Sequence, residues 1–243
     1  MSHEPSHQIR ISAKNLGSLA LDCPRCFWLK LKLNFKLPYQ IFPGIFSSID
    51  SYSKKITWSY YEKYGVVPPW FKPFGDFIRP VKVPHHSKYF LFCEKENILL
   101  TGAPDDIFQK KDGSYFIIDY KTARYTDHQD ELLPLYQVQL NGYALIGEQR
   151  GFSPVTGLGL CYYEPQTQIS MENIKSSIID GGFKMPFQAH LLEVGLDPQG
   201  VVLPLLRQVR EIGDRQVVQE GRDGCEECGR VEEVMGLVGG EVF

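Results

Sequence analysis

Two Cys-x-x-Cys pairs, Cys23/Cys26 and Cys225/Cys228, stand about 200 residues apart in a chain of 243. A fold that uses all four together must bring its two ends into contact. That separation is too long for a local zinc finger, yet the two pairs supply the four-thiolate set that binds Zn²⁺ or an iron–sulfur cluster. The opening MSHEPSHQIRIS has no apolar segment of the secretory kind, so the cytoplasm is the expected location and a disulfide framework is disfavoured. A redox-active Cys-x-x-Cys calls for a thioredoxin-like βαβ setting, and neither pair has one. Cys93 and Cys161 sit in apolar runs and read as core residues.

The remaining composition excludes several classes. Hydrophobic residues at 43% and charged residues at 23% rule out a disordered or collagenous chain. No apolar stretch approaches the ~20 residues of a membrane-spanning helix, so no membrane partner is expected. The charge is unevenly spread. Residues 1–90 hold 13 Lys and Arg against 5 Asp and Glu, while residues 91–243 hold 13 against 24. The basic part also carries 17 of the 31 aromatic residues and all three Trp. Cations interleaved with rings suit a surface that tracks a nucleic-acid backbone and stacks bases. A solvated basic face over an aromatic core produces the same count.

The pattern of elements is that of an α/β chain. Residues 13–33 begin helix-like and pass through a Cys-Pro-Arg-Cys turn, and 34–43 read as a loop. From Gly44 to Tyr64, Ile45, Ile49, Tyr52, Ile56 and Tyr60 recur at amphipathic-helix spacing. Gly65 to Pro84, with five prolines, reads as irregular. Strands are expected at Tyr89–Cys93, Ile98–Thr101, Asp106–Gln109 and Ser114–Tyr120, with a turn at 110–113. Pro134 opens a helix running to about Glu148. Strands at Thr156–Tyr163 and His190–Leu196 follow. A helix then opens at Pro198, with Pro204 awkward in its interior, and the tail from Gly221 is Gly-rich, has little apolar content and contains Cys-Glu-Glu-Cys.

The chemistry concentrates in residues 102–121, GAPDDIFQKKDGSYFIIDYK. Asp119 ends an apolar strand, and period-two geometry puts Lys121 on the same face. A hairpin can bring Asp105 beside them. Two carboxylates and one ammonium at a strand end suit metal-dependent phosphodiester cleavage. The carboxylates hold Mg²⁺, and the lysine orients water or stabilises developing charge. From Asp-x-Lys alone, a plain salt bridge capping the strand is the simpler account. Gln139 and Tyr143, spaced i, i+4, share one face of the following helix.

In this order, Gly102 with Asp105, then Asp119, Lys121 and Thr122, then Gln139 and Tyr143, the chain resembles the PD-(D/E)XK nuclease superfamily. It is most similar to the RecB-like branch that includes CRISPR-associated exonucleases. The resemblance implies a restriction-endonuclease-like core: a mixed β-sheet flanked by helices, with Mg²⁺ or Mn²⁺ at the strand ends. It implies Asp105 and Asp119 as metal ligands, with the Tyr120 backbone carbonyl as another, and Lys121 as the catalytic lysine. Gln139 and Tyr143 would shape the site and hold the nucleic-acid strand. An upstream His or Glu usually adds a ligand. No His occurs between 44 and 65, so Asp50 is the candidate, with Glu62 a poorer one. His85 and His86 sit in a Pro-flanked loop and read as surface residues, and His128, seven residues after Lys121, is a remote candidate contact.

Several relatives also join terminal cysteines around a [4Fe–4S] cluster. Their division is one plus three; this chain has two plus two, and Zn²⁺ is the alternative. The expectation is one nuclease-like domain over 1–243, with 13–40 and 221–243 as a Cys-rich terminal lobe joining the chain ends. The implied function is a metal-dependent DNA nuclease acting on single strands or ends, in repair, recombination or CRISPR adaptation. The competing reading is a non-catalytic nucleic-acid-binding or structural metal-binding subunit. No G-x-x-x-x-G-K-[ST] motif occurs, so any helicase coupling needs a helicase, repair or CRISPR partner protein.

Overall fold

The structure is a computed structural model that describes residues 7–36, 43–125, 131–172 and 174–239, and it opens with strand β1 (Ile9–Ser12). Helices α1 (Ala13–Gly17), α2 (Pro24–Lys32) and the long α3 (Gly44–Tyr64) follow. A 3-10 segment at Pro69–Phe74 leads into strands β2 (Phe77–Val81), β3 (Phe90–Cys93), β4 (Ile98–Thr101), β5 (Asp106–Lys110) and β6 (Tyr115–Lys121). Next come helix α4 (Leu133–Gln149), strand β7 (Val155–Pro165) and the short helix α5 (Ile174–Ser177). A small hairpin, β8 (Ile178–Ile179) and β9 (Gly182–Phe183), precedes strand β10 (Phe187–Val194). Helices α6 (Pro198–Asp214) and α7 (Glu226–Gly239) end the described chain.

The larger sheet has the order β10-β7-β6-β5-β2, and only its β6–β7 pair is parallel. A second sheet has the order β1-β4-β3, with β1 parallel to β4. This is the mixed α/β architecture expected from the sequence, with mixed sheets flanked by helices. The parallel β6–β7 step needs a crossover connection, and α4 supplies it.

Alternation along β6 assigns its two faces. Ile117 belongs to the main core beneath α4, together with Leu140, Ala144, Leu158 and Leu160. Phe116, Ile118 and Tyr120 belong to a second core with Phe71, Phe74, Phe108 and Cys161. Asp119 and Lys121 continue the α4 side. On β7, Gly157 and Gly159 carry no side chain because rings occupy that space. A Cβ on Gly159 would lie 2.6 Å from Phe74 Cζ and 2.9 Å from Phe116 Cε1.

The structure departs from the sequence expectations in identifiable places. The proline-rich stretch 65–84 contains β2, and Pro80 is tolerated because β2 is the sheet edge. The Cys-Pro-Arg-Cys segment starts a helix: Cys23 is the N-cap of α2, its sulfur accepts from Cys26 N–H, and Pro24 fits the first turn. The tail is helical from Glu226, with two acidic residues in its first turn favoured by the helix dipole. The last strand runs Phe187–Val194, starting earlier than its hydrophobic pattern suggests. On α3 the apolar stripe is not the buried face: Ser53 and Thr57 are buried, whereas Ile45, Tyr52 and Ile56 are exposed. Part of the loop at 34–43 and His128 lie outside the described residues. No described helix is long and apolar enough to cross a membrane.

Gly159→Ala should therefore overpack the second core and lower stability by about 1–3 kcal/mol. The check is the denaturant midpoint at constant m-value, and an unchanged midpoint would contradict the packing described.

Candidate active site

β5 and β6 are hydrogen-bonded neighbours, so the residue entering β5 meets the residue ending β6. Asp105 Oδ2 accepts from Tyr120 N–H at 2.6 Å, which locks its carboxylate against the end of β6 beside Asp119. Gly102 makes the approach possible. Its φ of +126° lies in the region that favours glycine, and a Cβ there would meet Tyr143 Cε1 at 2.9 Å.

On the α4 side, Lys121 Nζ pairs with Asp119 Oδ2 at 2.7 Å and reaches Gln139 Oε1 at 3.3 Å. Gln139 Nε2 donates to Asp119 Oδ1 at 3.2 Å and to Tyr143 Oη at 2.8 Å. The Lys121 ammonium also lies 3.8 Å from the centroid of the Tyr136 ring, within cation–π range. Asp119, Lys121, Gln139 and Tyr143 thus form one connected polar group, with Asp119, Gln139 and Tyr143 buried.

On the opposite side α3 contributes a cation. Lys54 Nζ bridges Asp105 Oδ1 at 2.6 Å and Asp50 Oδ2 at 2.9 Å. Asp50 is therefore one side chain removed from Asp105, its own carboxylate about half exposed. α3 is held there by a polar anchor. Asp106 is 1% exposed and accepts from Trp58 Nε1 at 2.9 Å and from the Tyr120 hydroxyl, while Thr57 Oγ1 lies 3.0 Å from the same hydroxyl. Glu62 and the imidazoles of His85 and His86 are exposed, and His85 bonds Ser87.

The electrostatics follow from burial. Burial first, and the neighbouring Asp119 charge second, push the Asp105 carboxyl up to about 7 against the lowering effect of Lys54 and the Tyr120 amide. Burial pushes Asp106 up to about 6, opposed by its bonds to Tyr120 and Trp58. Burial and then Asp119 raise the Tyr143 hydroxyl, which stays neutral. Clustered hard oxygen donors in a partly desolvated place, each already facing an ammonium, fit a divalent cation. Asp105 and Asp119 are the nearest donors and Asp50 the next.

Lys54, Asp106, Thr57, Trp58 and Tyr136 join the site without having been singled out by sequence pattern. Lys54 had a signal, since it stands four residues after Asp50 on one helix face. Asp106 had one as well: beside Asp105 on a strand, alternation sends it to the opposite face.

A second cluster lies at the chain ends. Cys23 and Cys26 at the start of α2 meet Cys225 and Cys228 at the start of α7, with all four sulfurs within 4.8 Å of one another. Lys30 ties the two helices together by pairing with Asp22 at 2.8 Å and Glu227 at 3.1 Å, and Arg25 pairs with Glu232. Burial pushes the Cys228 thiol up to about 11. Cys23 goes the other way: burial is outweighed by backbone donors from Arg222 and Cys26 and by the Cys228 thiol, which bring it down to about 6. Cys93 and Cys161 pack with the apolar cores.

The family model of the PD-(D/E)XK nuclease superfamily matches residues 53–229. That span holds Lys54, Asp105, Asp119, Lys121, Gln139, Tyr143, Cys225 and Cys228; Asp50, Cys23 and Cys26 precede it. Among solved structures, "Crystal structure of SSO0001" is similar over 89% of this chain and 82% of that chain, at 12% identity and a TM-score of 0.45. No curated protein matches the chain.

A carboxyl that keeps its proton to about pH 7 must lose it to bind a cation. Mn²⁺ affinity should be flat above that pH and fall about tenfold per unit below it. Titration calorimetry across about pH 6 to 8 checks this, and a pH-independent affinity would contradict the role of Asp105.

Proposed function

The chain belongs to the PD-(D/E)XK nuclease superfamily, and from that premise we propose that it is a divalent-metal-dependent nuclease that hydrolyses phosphodiester bonds at the Asp105–Asp119–Lys121 site. The observation that carries the reading is the unbroken contact series from Asp105 through the end of β6 to Asp119, Lys121, Gln139 and Tyr143. A non-catalytic subunit has no need to keep a buried carboxylate and a second, partly buried one beside a lysine. The Gln-x-x-x-Tyr pair on α4 supports the RecB-like branch, and with it exonuclease or end-processing activity on DNA.

In this reading Asp105 and Asp119 hold Mg²⁺ or Mn²⁺, with the Tyr120 carbonyl and Asp50 completing the protein ligands. A cation held there would supply polarisation of the phosphate and a lowered pKa for an attacking water. Lys121 holds positive charge where the pentacovalent phosphate develops negative charge. Gln139 fixes Lys121 and Asp119 in one geometry by bonding both, and Tyr143 fixes Gln139. Lys54, paired with Asp50 and Asp105, is the ammonium that a cation held by those carboxylates would replace, and it would then be available to a substrate phosphate.

A groove of about 470 Å³ supports a single-stranded substrate. It runs beside α3 and is lined by Ile49, Tyr52, Ile56, Trp70, Tyr163 and Phe187. The exposed apolar stripe of α3 forms one wall, and Asp50 and Lys54 lie on the same helix. Aromatic and apolar walls of this kind accept unpaired bases by stacking. The same reading makes 1–243 one domain, with 13–40 and 221–243 as its Cys-rich terminal lobe. Its thiolate centre needs reduced cysteines, which the cytoplasm maintains.

Cleavage of end-labelled single- and double-stranded DNA, with Mg²⁺, Mn²⁺ or EDTA, tests the proposal. Metal-dependent cleavage is expected, with Asp119→Asn and Lys121→Met each losing at least about 10²- to 10³-fold. Tyr52→Ala should weaken single-strand binding by about 1–3 kcal/mol without abolishing cleavage. Equal cleavage by wild type and Asp119→Asn would overturn the site.

A further inference from the structure

The spacing of the four terminal sulfurs discriminates between metal centres. Cys23 Sγ lies 3.3 Å from Cys228 Sγ, and Cys26 Sγ lies 3.4 Å from Cys228 Sγ and 3.7 Å from Cys225 Sγ. The largest separation in the set is within 4.8 Å. One tetrahedral ion with metal–sulfur bonds of about 2.3 Å sets its four sulfurs about 3.8 Å apart. A [4Fe–4S] cluster gives each thiolate its own iron at the corner of a cube, which spreads the sulfurs to on the order of 6 Å. A two-iron cluster would divide the thiolates into two separated pairs. Here they interleave, since Cys228 touches both Cys23 and Cys26.

The walls of the cage agree with the smaller centre. A Cβ on Gly221 would lie 2.8 Å from Cys228 Sγ, so the backbone packs closely on that side of the cage. The Cys26 amide donates to Cys23 Sγ at 3.4 Å, which stabilises the thiolate form of that ligand. The cage therefore does not fit the iron–sulfur cluster that the family resemblance implies.

We propose that Cys23, Cys26, Cys225 and Cys228 hold a single Zn²⁺ in tetrahedral thiolate coordination, in place of an iron–sulfur cluster. Four sulfurs in a tetrahedron select zinc, which also outranks Fe²⁺ in affinity for one site. The ion ties α7 to α2 beside the Lys30 and Arg25 ion pairs, and it has no part in bond cleavage.

The test is metal and acid-labile sulfide analysis of the full chain, purified anaerobically from cells supplied with both iron and zinc. About one zinc per chain, no labile sulfide and a colourless protein are expected. Replacement by Co²⁺ should give the visible bands of a tetrahedral thiolate complex. Iron with labile sulfide, mononuclear iron, or a metal-free protein would each overturn the assignment. Asp119→Asn should carry the same zinc, and loss of zinc with that substitution would show the ion to lie at the strand ends instead. Metal content is read directly, so the outcome is independent of whether the chain cleaves DNA.

Discussion

Asp105 and Asp119 are like charges that the β5–β6 pairing forces together at the end of a buried sheet. In a partly desolvated setting such a pair is stable only if protonated or matched by cations, and the surrounding architecture supplies both. Asp105 keeps its proton to about pH 7 and, once ionised, takes the Lys54 ammonium. Asp119 takes Lys121. The two lysines come from opposite sides of the sheet, one from α3 and one from the end of β6 beneath α4. Both helix layers therefore have to be in place for the carboxylates to be held together.

Each layer uses a different kind of force. α4 is buried continuously from Val138 to Gly147 and packs there by apolar contact, so Gln139 and Tyr143 are held by the core itself. α3 buries little apolar surface and is anchored by the hydrogen bonds among Thr57, Trp58, Asp106 and Tyr120. A helix fixed by polar contacts on one face is free to present an apolar stripe on the other. That accounts for the groove between α3 and Trp70, Tyr163 and Phe187. The tyrosine between the two motif residues serves both layers, because its amide fixes Asp105 while its hydroxyl, on the other face, fixes α3.

Much of this was legible from residue order. The apolar run ending in Asp119-Tyr120-Lys121, the turn at 110–113 and the Pro134 helix start specify a hairpin followed by a crossover helix, and period-two alternation put Asp119 and Lys121 on one face. The face of α3 was not legible, because an apolar stripe ordinarily marks the buried side and here hydrogen bonds reverse the choice. β2 was hidden by its prolines, which an edge strand tolerates. α7 was hidden by glycines, and its start depends on docking the two Cys pairs, a contact across about 200 residues that no local propensity encodes. Lys54 became visible as part of the site only when Asp105 was brought to it.

The proposed chemistry requires a divalent cation between Asp105 and Asp119. Anomalous diffraction from crystals soaked in Mn²⁺ tests it most directly. The account predicts a manganese peak in contact with both carboxylates, with the Lys54 ammonium moved off Asp105. Manganese absent from those two carboxylates, with the Lys54–Asp105 pair still closed at saturating Mn²⁺, would contradict it.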